Sequence, residues 1–418
     1  MRTRGAWGRA RIAGAAVVVL ALWASAAPTL IYPLYVSAWH LSTLQTTVVF
    51  ATYPAAMILA LLVLGNLSDI TGGRRAMLVG LVLLGLGALA LVVATGLGAL
   101  VAGRALMGLG VGASLGAATV EAGRSPDREG GLAGPGHDGR PGQDGHGGSV
   151  VTVASSVGLV TALVLGGAAV QDWPHPRRLP FEVLVAAIVA VLVLVGRLPD
   201  DRPAAAPRWR FQPVVVPRPR RSFLAGALAI SAAYCVGAVY LGVGAQYARD
   251  VVGSTDATVT GLVLAASAVA IGAVAIVARD VNPRSALIGG AVAVVCGQTL
   301  MIASGDVRQL WMLVGASAVG GAGYGLLFSA GISAVIAAGP PPHRAAATST
   351  AYLLAYGMQA ASALAVGAIS TAHTLPTGLA AGSAAVLLIV VVALVLHSTP
   401  RGVRAVQTQS DGLPRARA

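Results

Sequence analysis

Lysine is absent from this 418-residue sequence, and charged residues of any kind are scarce. All 28 basic residues are arginine, and charged residues make up 10% of the chain, against about 25% in soluble proteins. Hydrophobic residues reach 56%, and the mean hydropathy is +0.78. A soluble fold needs more charge to cover its surface, and a disordered chain is polar and charge-rich. The composition therefore excludes both classes and predicts a membrane protein with several spans.

Other absences exclude further activities. Without lysine the chain cannot form the phosphate-binding loop G-x-x-x-x-G-K-[ST], so we expect no ATP-driven transport by this chain alone. Cys235 and Cys296 lie in apolar runs, which predicts free buried thiols rather than a disulfide framework. The pattern offers no catalytic or metal-ligating constellation at membrane depth, so we expect neither an enzyme nor a cofactor. The net charge of +13 comes from arginines scattered between apolar runs, which argues against a nucleic-acid partner.

Twelve apolar runs are long enough to cross a bilayer, which takes about 20 residues. They cover 12–36, 44–66, 76–96, 98–120, 149–170, 180–197, 222–247, 257–278, 285–304, 309–337, 346–370 and 376–397. Backbone groups in lipid must find hydrogen-bond partners within their own segment, so these runs are expected to be helices. The sequence therefore predicts an all-α polytopic membrane protein with twelve transmembrane helices.

The arginines predict the topology and the domains. With a cytoplasmic N-terminus, 23 arginines fall on the cytoplasmic side and 4 outside, and Arg104 lies within the fourth run. Such a bias orients membrane proteins. The proline-rich connector 198–221 divides the runs six and six, so we expect bundles at 1–197 and 222–400, a cytoplasmic linker at 198–221 and a cytoplasmic tail at 401–418. We expect a monomer in the cell membrane with both termini inside.

The loop after the second run carries the first recognisable motif. Its pattern consists of two glycines, a carboxylate and two arginines: Gly65, Asp69, Gly72, Arg74 and Arg75. It resembles the signature loop G-x-x-x-D-R/K-x-G-R/x-R/K-R/K of the major facilitator superfamily, with Ile70 replacing a basic residue. In that family the loop is a cytoplasmic conformational latch, so the resemblance implies a gating role for the five residues. Because Ile70 removes one charge, we expect a weaker latch.

The fourth run supplies a second motif. Arg104 is followed by Gly108, Gly110 and Gly112, which resembles the superfamily pattern R-x-x-x-G-x-G/A-x-G/A. Gly108 and Gly112 share one helix face, so a neighbouring helix can approach closely. The family associates the arginine with proton coupling or gating. The alternative is an arginine whose head reaches the outer interface along its apolar stem.

The fifth run matches a third pattern in part. Gly166 and Gly167 fit the end of G-x-x-x-G-P-x-x-G-G, which antiporters of the superfamily often carry. The central Gly-Pro pair is replaced by Ala162 and Leu163, so the proline kink is missing. We therefore take the two glycines as helix-packing residues.

Two carboxylates are candidates for coupling or gating. Glu121 ends the fourth run on the cytoplasmic side, and Glu182 begins the sixth run on the outer side. Ionisable residues within spanning helices mark transport paths. Because Arg104 lies at a similar outer depth, we expect Glu182 to pair with it.

The resemblance implies a central cavity, and a few polar or aromatic side chains are candidates to line it: Gln45, Tyr53, Tyr234, Tyr240, Gln246, Tyr324, Tyr352, Tyr356 and Gln359. Each tyrosine has an alternative role as an interfacial anchor or packing residue. Dense hydrogen-bonding groups or paired cations, which sugars and phosphorylated anions need, are missing. We expect a secondary transporter that alternates its access and couples protons to the efflux of small hydrophobic or amphipathic compounds. The alternative is a non-transporting membrane sensor or assembly protein with the same fold.

Segment 122–148 departs from the family pattern. Glycine recurs every third residue from 136 to 148, a collagen-like period that is too short for a triple helix. A low-complexity loop and a reading-frame slip are the two interpretations.

Overall fold

The computed structural model describes residues 4–123, 145–201, 220–278, 281–338 and 344–398, and in the connector residues 209, 211, 214 and 216–218. Within this part of the chain, twelve helices are long and apolar enough to cross a membrane, and no strand is present. The expected all-α polytopic fold is therefore confirmed. Segment 124–144, most of the linker and the tail at 401–418 lie outside the described residues.

The spanning helices, numbered in chain order, are α1 (Arg4–Ala26), α2 (Thr43–Leu64), α3 (Gly73–Val92), α4 (Leu97–Gly123), α5 (Gly145–Asp172), α6 (Leu179–Gly196), α7 (Arg220–Gly242), α8 (Ala257–Val277), α9 (Pro283–Val307), α10 (Leu310–Ala338), α11 (Arg344–Ala372) and α12 (Leu375–Ser398). Between them lie short helices at Tyr32–Trp39, Leu67–Thr71 and Gly244–Tyr247, and a π-helical turn at Ala248–Val252.

Two predicted helix ends are wrong. The first run was expected to continue to residue 36, but α1 ends at Ala26 and a short helix begins at Tyr32. Pro28 has no backbone N–H and disfavours helical geometry in the residue before it, so the chain turns there. The seventh run was expected to reach residue 247, but α7 ends at Gly242 and the chain continues in short helical turns.

Local sequence also fixes where helices begin. Ser42 and Gln45 form a capping box at the start of α2, with Ser42 Oγ accepting from the Gln45 N–H. Asp256 caps α8 by accepting from the Val259 N–H at 3.0 Å. Such caps satisfy N–H groups that the first helical turn leaves without partners.

Small residues allow the helices to pack closely. Gly110 faces α3, where an added Cβ would lie 2.6 Å from the carbonyl oxygen of Gly80. Gly108 and Gly112 face α2, next to Ala56 and Ala60. Between the first six and the last six helices, the most extensive contacts join α5 to α8 and α2 to α11.

The two ends of the bundle differ in how the halves meet. We call the end with the α2–α3 connection the Asp69 end, and the opposite one the Arg249 end. In the described part of the chain, four hydrogen bonds join the first six helices and their loops to the last six, and all lie at the Arg249 end. They run from Thr29 Oγ1 to Leu241 O, from Arg249 Nη1 to Pro33 O, from Leu44 N to Thr371 Oγ1 and from Ala257 N to Gln171 Oε1. The Arg249 end is therefore closed.

Candidate functional site

A cavity of about 830 Å³, counting its opening to solvent, lies between the two groups of six helices. Its walls come from α1, α2, α4 and α5 on one side and α7, α8, α10 and α11 on the other. The polar or aromatic lining residues are Ser25, Tyr53, Tyr234, Tyr240, Ser267, Tyr324, Tyr356 and Gln359, and the other lining residues are apolar or glycine.

Six of the nine candidates that the sequence offers line the cavity: Tyr53, Tyr234, Tyr240, Tyr324, Tyr356 and Gln359. Gln45, Gln246 and Tyr352 are not among the residues that line it. The sequence offered no sign that α5 and α8 contribute to the walls. Ser25 and Ser267 were missed too, because a serine within an apolar helix commonly bonds its own backbone, so its type alone does not indicate a cavity.

Aromatic rings from α7, α10 and α11 form a cluster at the wall of the last six helices. The Tyr234 ring stacks with Tyr324 at 6.2 Å between centroids and with Phe328 at 6.4 Å, and Tyr356 meets it edge-on at 4.9 Å. Tyr352 closes the cluster, 6.5 Å from Tyr356. Tyr324 and Phe328, like Tyr352 and Tyr356, lie four residues apart and therefore share one helix face. The cluster offers an apolar aromatic surface with phenol groups at its edge.

Arg104 lies behind the opposite wall. Its side chain is fully buried, and its Cζ lies 4.5 Å from the centre of the Tyr53 ring, a cation–π contact. Its Nη1 donates to the carbonyl oxygens of Ala24 at 3.0 Å and Ser25 at 3.2 Å. The Nε and Nη2 atoms have no hydrogen-bond partner among the described residues. Arg104 does not extend to the interface, since no part of it is exposed.

The surroundings of Arg104 do not neutralise its charge. Tyr32, in the short helix after α1, is buried close to it, and its hydroxyl has no hydrogen-bond partner within the described chain. Burial raises the pKa of Tyr32, and the nearby guanidinium lowers it only in part. The phenol therefore stays neutral at pH 7, and Arg104 keeps an uncompensated positive charge.

The expected pair between Glu182 and Arg104 is wrong. Glu182 is exposed in the first turn of α6, whereas Arg104 is buried and bonds to carbonyl oxygens at the end of α1. The sequence places both residues towards the same end of the bundle, near the start of α4 and of α6. It does not give the direction in which each helix presents its side chain.

Glu121 is the one carboxylate with a buried side chain among the described residues. It lies on α4 at the Asp69 end, where its Oε1 is 3.9 Å from the position a Cβ on Gly73 would take. That position also lies 3.2 Å from Asp201 Oδ2. Two carboxylates therefore approach the first turn of α3.

The signature loop joins α2 and α3 to the end of α6. Both carboxylate oxygens of Asp201 accept from the Arg74 N–H, at 3.2 and 3.3 Å, and the Arg74 guanidinium donates to the Gly196 carbonyl oxygen at 2.6 Å. Arg75 forms an exposed ion pair with Asp200 at 3.1 Å. Asp201 therefore caps α3 from outside the helix, and Arg74 binds the last turn of α6.

The other three residues of the loop motif, Gly65, Asp69 and Gly72, differ in their surroundings. Gly72 has φ +90°, and an added Cβ would lie 2.7 Å from Asp201 Oδ1. Gly65 ends α2 at an exposed position. The Asp69 side chain is exposed, so in this closed-at-Arg249 arrangement it is not part of the Arg74–Asp201 contact.

Gly166 and Gly167 have different neighbours despite their adjacency. A Cβ on Gly167 would lie 2.6 Å from the Ala257 carbonyl oxygen of α8. A Cβ on Gly166 would lie 3.4 Å from the side chain of Leu30. Gly167 is therefore the one that brings the two halves together.

Comparison with known proteins bears on this architecture. The family model of the Major Facilitator Superfamily matches residues 12–279. A mutant of the nucleoside transporter NupG has a TM-score of 0.69 at 12% identity, covering 93% of this chain and 99% of that chain. A mutant of the peptide transporter POT in complex with sulfate has a TM-score of 0.70 at 16% identity, covering 95% and 94%. At these identities the likeness shows the fold. No curated protein matches the sequence.

Proposed function

This chain belongs to the Major Facilitator Superfamily, and on that premise we propose that it exports small hydrophobic or amphipathic compounds by alternating access. The family and the similar structures make it a transporter rather than an enzyme. The observation that carries the proposal is the cavity between the two groups of six helices, with its wall of tyrosines and apolar side chains. Closure at the Arg249 end supports the view that one state of the cycle is present.

The lining favours substrates with a largely apolar body rather than compounds that are rich in polar groups. Among the described residues, no charged side chain contributes to the cavity surface, whereas sugars and phosphorylated anions are held by dense donors or by cations in direct contact. Tyrosine hydroxyls and Gln359 provide a few hydrogen bonds to fix orientation. The solved relatives carry nucleosides and peptides according to their descriptions, which supports a small organic substrate here.

Orientation follows from the arginine bias. We propose that the Asp69 end faces the cytoplasm of a multi-pass cell-membrane protein, with 1–197 and 222–400 as its two bundles. The test places single cysteines in a background that lacks Cys235 and Cys296. Thr95→Cys lies at the Arg249 end and Pro199→Cys at the Asp69 end, and both positions are exposed. An impermeant maleimide on intact cells should label Thr95→Cys alone; labelling of Pro199→Cys alone would invert the orientation.

Proton coupling is assigned to Glu121. Its burial and its position beside Asp201 and the first turn of α3 favour a group that couples protonation to the latch. A negative charge stabilises a helix N-terminus, so the Glu121 carboxylate contributes to holding the first turn of α3. The exposed Glu182 is not part of this assignment.

The decisive experiment measures transport in proteoliposomes. A panel of radiolabelled neutral and charged aromatic compounds is tested with and without an imposed pH gradient. We expect gradient-dependent flux of some compounds. The absence of flux for every compound would favour a sensor or assembly protein. Flux that does not depend on the pH gradient would exclude proton coupling.

The coupling residue is tested by a matched pair of variants. Glu121→Gln should keep flux down a substrate gradient and lose its response to the pH gradient. Glu182→Gln removes an exposed carboxyl at the other end and should respond as the unmodified protein does. An unchanged pH response in Glu121→Gln would dismiss the assignment.

A further inference from the structure

We propose that the cavity selects aromatic monoanions, with Arg104 supplying the positive charge that attracts the ligand's carboxylate. The inference rests on the proposed transport function and names the substrate class of the same cavity. It predicts a preference that a merely apolar cavity would not have.

The first observation is the uncompensated charge of Arg104. Arginine stays protonated in proteins, and a buried charge is costly unless it is paired. The bonds of Arg104 go to two neutral carbonyl oxygens, and two of its nitrogens have no partner among the described residues. A carboxylate is the group that compensates such a guanidinium best.

The second observation is the distance of this charge from the ligand space. Ser25 and Tyr53 both line the cavity. Arg104 donates to the Ser25 carbonyl oxygen and stacks on the Tyr53 ring. The charge is thus one residue behind the wall, in an apolar environment where electrostatic interactions are strong and poorly screened.

The third observation is the opposite wall. Tyr234, Tyr324 and Tyr356 line the cavity, and their rings form the aromatic cluster with Phe328 and Tyr352. A planar ring can pack on this surface while a carboxylate points towards Ser25 and Tyr53. The two walls therefore match the two ends of an aromatic acid.

An organic cation fits less well. Aromatic faces attract ammonium groups, but one face of the Tyr53 ring already holds the Arg104 cation. Within the part of the chain that the structure describes, the cavity surface includes no carboxylate that would hold a second cation. A cationic ligand would also be repelled by Arg104. The charge of Arg104 therefore favours aromatic anions over organic cations.

The test compares three probes of one shape in the purified full-length protein in nanodiscs at pH 7: 1-naphthoate, 1-naphthamide and 1-naphthylmethylammonium. We expect naphthoate to bind at least about tenfold more tightly than the amide, and the ammonium probe to bind most weakly. Equal binding of naphthoate and the amide, or tighter binding of the ammonium probe, would overturn the proposal. This comparison needs no variant.

Variants then assign the preference to Arg104. Arg104→Gln should reduce naphthoate affinity to that of the amide and leave amide affinity unchanged, whereas Arg104→Lys, which keeps the charge, should restore part of the difference. Arg178→Gln removes an exposed arginine and should keep the full preference. A preference that survives in folded Arg104→Gln would contradict the role of Arg104.

The two proposals fail in distinguishable ways. If the protein transports no compound in proteoliposomes but still prefers naphthoate, the transport function fails and the anion site stands. If it transports compounds without a preference for the anion, the transport function stands and the charge selection fails.

Discussion

At the Asp69 end, individual side chains form hydrogen bonds that the signature motif alone does not predict. Asp201, from the connector, accepts from the Arg74 N–H, and Arg74 in turn binds the Gly196 carbonyl. Each side chain therefore satisfies a helix terminus other than its own, which ties α3 to α6. The Arg75–Asp200 pair beside it is well exposed, and exposed pairs contribute about 0–1 kcal/mol. We therefore expect the bonds from Arg74 to Asp201 and to the Gly196 carbonyl oxygen, rather than the exposed Arg75–Asp200 pair, to hold the loop in place.

Gly72 is the position where this network tolerates no side chain. Its φ of +90° and ψ of 152° lie in a region that costs other residues about 1–3 kcal/mol, and a Cβ would displace Asp201. We expect Gly72→Ala to lower the free energy of unfolding by about 2 kcal/mol, read as a lower Tm in detergent. Gly116, an exposed α4 glycine with open space around it, is the control, because Gly116→Ala should raise stability by about 0.5–1 kcal/mol. Equal Tm values would refute this account.

At the scale of helices, the sequence predicts some features and not others for physical reasons. Lipid gives no alternative partner to backbone groups, so each long apolar run becomes a helix, and all twelve were predicted. The end of α1 at Ala26 was not predicted, because the residues after Pro28 are still apolar although the helix has ended. The tyrosines of the cavity could be predicted because these helices contain few polar groups. The prediction of a Glu182–Arg104 pair was wrong because the rotation of each helix about its axis depends on packing between distant segments.

Under the proposed alternating access, the two halves tilt against each other along the contact between α5 and α8. Glycine spacing along it keeps the backbones close: Gly261 packs on the Leu163 carbonyl oxygen, and Gly272 lies next to Ser156. These contacts run from the Arg249 end towards the Asp69 end. Close, smooth surfaces let two helices tilt against each other without separating.

Gly167→Ala tests the α5–α8 contact, and Gly166→Ala at the adjacent position is the control. The new Cβ would lie 2.6 Å from the Ala257 carbonyl oxygen and 3.1 Å from Thr258 Cα, so backbone must move, and overpacking of this kind costs about 1–3 kcal/mol. Gly166→Ala meets only a flexible leucine side chain. Both changes raise helix propensity equally, so their difference isolates the contact. Tm and initial flux should fall for Gly167→Ala alone; matching losses in Gly166→Ala would mean that the α5–α8 spacing is not the cause.

For the whole molecule, alternating access requires that the closed Arg249 end opens during each cycle. The four hydrogen bonds that join the halves there are individually modest, at about 0.5–1.5 kcal/mol each. Their combined worth is comparable to the few kcal/mol that separate interconverting states. The arrangement can therefore be stable in one state and still convert to the other when a ligand binds more tightly to that other state.

A cross-link at this end should stop the cycle. Leu44 N and Thr371 Oγ1 are 2.9 Å apart, so cysteines at both positions, in a background that lacks Cys235 and Cys296, should form a disulfide on oxidation. We expect flux in proteoliposomes to cease after oxidation and to return with reductant, because the bond prevents α2 and α11 from separating. Binding of naphthoate should persist, since neither Leu44 nor Thr371 lines the cavity. Leu44→Cys alone should be insensitive to oxidant. Undiminished flux through a fully cross-linked protein would show that the Arg249 end need not open, and the two halves would then not rock as proposed.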